Sequence, residues 1–107
     1  MKITAVTLYG YDLSYRYGNY VMSGGQVVTH LPSTVVRLST SAGIEGFGEV
    51  CPLGPLYLAS HGEGARAAIA QMADALLGVD PTNISAVHVA MDSRLRGHSY
   101  AKSAVDI

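Results

Sequence analysis

The chain has 107 residues, of which 49% are hydrophobic and 14% charged, with a formal net charge of −1. That length suits one domain rather than two, and so few, scattered basic residues exclude the electrostatic footprint of a nucleic-acid binder. No run approaches the ~20 apolar residues that span a bilayer, and the single cysteine, Cys51, leaves no internal disulfide and points to a reducing, cytoplasmic setting.

The opening "MKITAVTLYG" lacks the long apolar core of a signal peptide. Ile3, Val6, Leu8 and Leu13 stand among Thr4, Thr7, Tyr9 and Tyr11, a β-prone mixture that predicts a first strand over roughly residues 2–15. "YRYGNYVMSGGQ" follows, and its tyrosines and its glycines at 18, 24 and 25 predict a mobile loop. "STVVRLST", residues 33–40, is the second strand, with Val36 and Leu38 on one face and Arg37 and Ser39 on the other. A turn through Gly43 returns the chain as "IEGFGEV", the third strand. Gly46 and Gly48 share a face of that strand, where missing side chains leave room for close packing.

Residues 51–61 form an unusually long connection, filled with Pro, Gly and Tyr, and long connections in compact domains are often lids or binding loops. Ser60 and Glu63 then fit a capping box at a helix start. Ala65, Ala68, Ile69, Met72 and Leu76 recur at helical spacing, with Gly78 as the stop signal. "DPTNI" predicts a second helix capped by Asp80 with Pro81 in its first turn, an apolar stripe of Ile84, Val87, Met91 and Leu95, and Gly97 at its close. A third helical pattern runs through Ala101, Ala104 and Val105 to Ile107, without a stop signal, and reads as the beginning of an element that continues. The order of elements predicts an α+β domain: a three-stranded antiparallel sheet followed by helices.

Few residues in this pattern offer chemistry. His61 and Glu63 form an H-x-E, but one cysteine cannot supply the C-x-x-C of a zinc deaminase, and no metal-ligand cluster stands out. "GFGEVC" and "HGEGAR" each lack parts of a nucleotide-binding loop. Cys51, next to Pro52, suits an inert thiol. Glu49 suits either a catalytic acid or an acceptor of hydrogen bonds at the base of the loop. His88 falls on the stripe of the second helix and suits a hydrogen-bonded, half-core histidine. The tyrosines at 15, 17, 20 and 57 suit cover for the sheet, and equally a binding wall whose ring faces attract cations.

The turn "AGIEGFGE", the loop "CPLGPLYLASH", the helix "GARAAIAQMADALLG", "DPTNI" and "GHSYAKSAVDI" together resemble the N-terminal capping domain of the enolase superfamily. The likeness is to the mandelate racemase/muconate lactonizing branch and spans essentially the whole chain. Within that branch, "GNYVMS" and "CPLGPLYLASHGEGARAA" are similar to the epimerases of proline betaine and hydroxyproline betaine and to cis-3-hydroxyproline dehydratases.

The resemblance implies that residues 1–97 cap a TIM barrel absent from this chain and that 98–107 begin the helix leading toward it. It implies two lid loops, about 15–29 and 51–61, that close over the barrel mouth, with Tyr57, Tyr20 and Met22 as the substrate-facing residues. Pro52 and Pro55 would lower the ordering cost of closing the second lid. The implied chemistry removes a proton α to a carboxylate with Mg²⁺ stabilising an enediolate. The ligands for that ion and the lysine acid and base would belong to the barrel. No catalytic residue and no metal site is expected among these 107 residues, whose only lysines are Lys2 and Lys102, so the chain alone is expected to be inactive. The implied partners are a small carboxylate substrate, the chain's own barrel and, in the complete enzyme, further copies of itself. A cycloisomerase or dipeptide epimerase of the same superfamily is a further reading, and a small stand-alone binding or scaffold protein is another.

Overall fold

The computed structural model describes residues 1–107. The chain runs β1 (Ile3–Ser14), β2 (Tyr20–Val21), β3 (Val27–Val28), β4 (His30–Thr40), β5 (Glu45–Val50), α1 (Gly62–Leu76), α2 (Ile84–Arg94) and α3 (Ser99–Asp106). The main sheet is antiparallel in the order β1-β4-β5, and β2 pairs with β3 in a separate small hairpin. The α+β class and the three-stranded sheet agree with the sequence reading.

Pleat and register decide which side chains reach the helices. Leu8 pairs with Val36 and Val36 with Gly48, and one step along Val6, Leu38 and Gly46 form the next row. Strand period two puts these rows on one face. That face packs on Ala65, Ala68, Ile69, Met72 and Leu76 of α1, Val87 and Met91 of α2, and Ala101, Ala104 and Val105 of α3, all buried. Every stripe residue expected of α1 is therefore in the core. After α1, Gly78 (φ 83°) turns the chain so that its amide donates to Ile3 O, and the Ile3 amide donates to Val79 O, both at 2.8 Å.

Gly48 and Gly46 part company. A Cβ on Gly48 would lie 1.9 Å from the Ala104 carbonyl oxygen, so the close packing expected at this face is the seat of α3. A Cβ on Gly46 would meet nothing within 4 Å.

Several local expectations are corrected. α1 is capped by His61, not Ser60: the imidazole Nδ1 accepts from the Gly64 amide at 3.2 Å, while Ser60 is buried one residue earlier. α2 does not begin at Asp80–Pro81. Asp80 Oδ1 instead accepts from the Thr82 amide (2.9 Å) and hydroxyl (2.7 Å), a local turn that competes with helix, and Asn83 caps the helix by accepting from the Ala86 amide at 3.1 Å. Ile84, placed on the apolar stripe, is 51% exposed. His88 lies on that same flank and is exposed rather than half-core, with Nε2 2.6 Å from Asp106 Oδ1. The second strand begins earlier than expected, at His30, and the loop before it contains the β2–β3 hairpin.

The radius of gyration is 15.2 Å, against about 13 Å for a compact chain of this length. The excess has a visible source. β5 pairs with β4 only from Thr34 to Ser39, whereas β1 and β4 continue as a two-stranded ribbon through the pair Ser14 and His30. No helix is long and apolar enough to cross a membrane.

Candidate functional site

Antiparallel pairing brings the end of β1, the start of β4 and the end of β5 to one end of the sheet. Both long loops, 15–29 and 51–61, therefore leave from that end. In the first loop the Met22 amide donates to Gln26 O at 2.7 Å and the Gly25 amide to Met22 O at 3.1 Å, closing the hairpin. Gly24 (φ 120°) and Gly25 (φ 80°) supply backbone angles that other residues resist. In the second, Gly54 (φ 132°) starts a turn in which the Tyr57 amide donates to Gly54 O at 3.2 Å.

Between the loops lies a cavity of about 220 Å³. Met22, Val28 and His30 line it from the first loop and the strand after it, and Leu53, Pro55 and Leu56 from the second. Its wall is mostly apolar, with neither a carboxylate nor a lysine, and its one imidazole, His30 Nδ1, is 3.1 Å from Thr29 Oγ1. Such a wall can shape and dry a space but cannot by itself move a proton between two groups.

The expected site residues separate. Met22 lines the cavity. Tyr20 lies in β2, 46% exposed, and its ring stacks on Tyr15 with centroids 6.2 Å apart. Tyr57 stands on the second loop, 60% exposed and outside the lining. Tyr17 is more exposed still, beside the Arg16 guanidinium at 5.3 Å. The four loop tyrosines thus form one stacked pair and two separate rings rather than one wall. With Leu56 and Leu58 also exposed, the loops present clustered apolar surface to the outside, a mark of a surface that meets something.

The base of the site is held by polar contacts, of whose members the sequence reading singled out Glu49 alone for this role. The Tyr11 hydroxyl donates to Glu49 Oε2 across the open face of the sheet. This bond holds the Tyr11 phenol above its ordinary pKa, since the carboxylate favours the protonated donor. Glu49 is therefore an acceptor at the loop base, one of its two expected roles. Strand alternation puts Tyr11 and Glu49 on the same face, which was the available signal. Arg66, an isolated cation in an alanine-rich stretch, donates from Nε to Thr34 Oγ1 and from Nη2 to Ser33 O, both at 2.9 Å. Gly10 in mid-strand was its signal, because a Cβ there would lie 2.8 Å from the guanidinium carbon.

Beyond the loops, a groove of about 370 Å³ runs between α2 and α3, but its charged groups already have partners. His88 lies 2.6 Å from Asp106, and Lys102 donates to Asp92 at 2.6 Å, which holds the Asp92 carboxyl below its usual range. Nowhere do three His, Cys, Asp or Glu side chains come together in a way that could hold a metal ion.

Comparison with known proteins adds what geometry alone leaves open. The family described as mandelate racemase/muconate lactonizing enzyme, N-terminal domain, matches residues 16–107. A cis-3-hydroxy-L-proline dehydratase of Roseibium aggregatum is 45% identical over 107 residues, covering 100% of this chain and 29% of the dehydratase. An N-succinyl-L-Arg/Lys racemase of Bacillus cereus is 35% identical, again over 100% of this chain and 28% of its own length. A crystal structure of an enolase-superfamily member from Roseovarius nubinhibens ISM, complexed with magnesium, superimposes with a TM-score of 0.88 at 43% identity, covering 98% of this chain and 28% of that one. The chain thus spans less than a third of the length of these relatives.

Proposed function

Because the chain belongs to the mandelate racemase/muconate lactonizing enzyme family as its N-terminal domain, we propose that its two loops are lids over an active site built by a barrel that these residues do not include. The observation that carries this reading is the two-loop mouth itself: a mostly apolar cavity lined by neither a carboxylate nor a lysine, beside exposed Tyr57 and its flanking leucines. A surface of that composition does useful work by closing on a substrate and excluding water, while the reacting groups sit opposite.

The reaction proposed for the complete enzyme starts with removal of the proton α to a carboxylate, followed by epimerisation or by loss of a hydroxyl group. Proline-type amino acids or their betaines are the substrate class, supported by the 45% identity with the dehydratase over the whole chain. Mg²⁺ would supply charge stabilisation to the enediolate. The residues present do not fit that ion, since no three metal-ligating side chains converge, and we assign it to the barrel. This chain's part is to position and to enclose. Met22 lines the space between the lids, and Tyr57 and Tyr20 offer ring faces suited to a quaternary or protonated ring nitrogen. The sheet face away from the helices leaves Tyr9 and Phe47 exposed, which suits packing against the barrel or a second copy in a homo-oligomer.

The test uses the complete polypeptide, barrel included. Tyr57→Ala and Met22→Ala should lower kcat/KM for proline-type carboxylates about tenfold or more, as loss of a desolvated cation–π or apolar contact does, while circular dichroism stays unchanged. Parent-like kinetics in both variants would remove these side chains from the substrate's surroundings. The 35% identity with the racemase favours a second reading, an N-acylated amino acid as substrate. A panel holding both substrate classes separates the two.

A further inference from the structure

We infer that Arg66 is a positioning residue that locks the roots of the two loops to each other, so that both lids move on one shared base. The inference rests on the lid reading for its functional meaning, but its structural part stands on four observations. Arg66 sits in α1 a few residues after the second loop ends, and its guanidinium reaches the start of β4, where the first loop ends. There Nε donates to Thr34 Oγ1 and Nη2 to Ser33 O, both at 2.9 Å, and both acceptor residues are 0% exposed. Gly10, the strand partner of Thr34, leaves the space the guanidinium occupies. One turn earlier Gly62 lies flat on Pro32: a Cβ at position 62 would come within 2.6 Å of the proline ring.

Two contacts therefore join segments 30–34 and 60–66, and neither involves a carboxylate. The guanidinium is spent on a hydroxyl and a carbonyl, two neutral acceptors set at the spacing of its planar fork. A lysine at 66 keeps the charge but cannot span both. Charge-assisted bonds to buried acceptors are among the stronger ones, and losing the donor leaves those acceptors short of a partner. On the other side of the same loops Tyr11 and Glu49 tie the end of β1 to the end of β5. Arg66 and Gly62 thus complete a frame around all four loop roots.

Amide exchange of the chain reads the clamp directly. The reporters are the Met22 amide, bonded to Gln26 O in the first loop, and the Ser60 amide, bonded to Leu58 O in the second. Arg66→Lys and Thr34→Val should each speed exchange at both reporters about tenfold, the change expected when a charge-assisted bond is lost. Thr34→Ser, which keeps the hydroxyl, should retain the parent rates, and it keeps the test decisive if Arg66 variants fold poorly. A purely structural role would speed only the core amides of α1, which open by global unfolding; unchanged loop rates in Arg66→Lys and Thr34→Val, with or without faster core exchange, would overturn the proposal. In the complete enzyme Arg66→Lys should raise KM more than it lowers kcat. Faster loops with unaltered KM would leave the clamp standing and remove the lid reading instead.

Discussion

The contact between β5 and α3 gives the most quantitative expectation. Gly48 pairs with Val36 at the centre of the sheet, and α3 rests on it through the Ala104 backbone. A methyl group at 48 would stand 1.9 Å from Ala104 O and 2.8 Å from its carbonyl carbon. Carbon–oxygen contacts settle near 3.3 Å, so α3 must retreat by about 1.4 Å. Backbone cannot rotate aside as a side chain would. A gap of that size forfeits much of the dispersion energy of the buried Ala101, Ala104 and Val105. Overpacking of this kind costs about 1–3 kcal/mol. Gly46, two residues away on the same strand and face, has open space instead, and Gly46→Ala should gain about 0.5–1 kcal/mol by restricting the unfolded chain. At about 4–8 °C per kcal/mol for a domain of this size, Gly48→Ala should melt roughly 4–24 °C below the parent and Gly46→Ala a few degrees above it. Parallel thermal and urea melts of the 107-residue chain measure both. A Gly48→Ala variant as stable as Gly46→Ala would refute the packing described here.

Two ionisable contacts carry pH signatures. Lys102 holds the Asp92 carboxyl below its ordinary value, with Arg96 and His88 adding to the effect. The stability this contributes is present above pH ~4 and is lost as pH falls through the lowered folded value; the Tm gap between the parent and Asp92→Asn should therefore close in acid, and a gap constant down to pH ~2 would contradict the assignment. Tyr11, raised by its bond to Glu49, behaves in the opposite sense. Its contribution is whole below pH ~10 and fades as pH rises through the folded value, so one of the seven tyrosines should ionise late in an absorbance titration and that late step should vanish in Tyr11→Phe.

Much of the fold was legible because period is a strong signal. The stripe of α1 is clean, and each of its five apolar residues is buried. Alternation in the strands likewise fixed which face of β4 meets the helices. The misreadings lie where two local motifs compete. Ser60–Glu63 matches a capping box, but Ser60 is buried and the longer imidazole of His61 reaches the Gly64 amide instead. Asp80 caps a turn through Thr82 in preference to a helix, and Asn83 takes the role four residues before Val87. In α2 the buried stripe is narrow, running through Val87 and Met91, so Ile84 and His88 fall on its exposed flank. At the site, the long Pro- and Tyr-rich connection was legible as a long loop, and the structure has one between β5 and α1. Its partner cavity and the Arg66 clamp depend on contacts between segments some 30 residues apart, and no local pattern encodes those.

The central claim is that these residues enclose a reaction whose reacting groups lie outside them. Deuterium uptake from D₂O at the α-carbon of a proline-type carboxylate, followed by proton NMR with Mg²⁺ present, tests it most directly. The account predicts uptake with the complete polypeptide, slower uptake when Tyr57 or Met22 is truncated, and none with residues 1–107 alone. Uptake catalysed by the 107-residue chain, or full-speed uptake by a complete enzyme whose loops 15–29 and 51–61 have been replaced by short linkers, would contradict it.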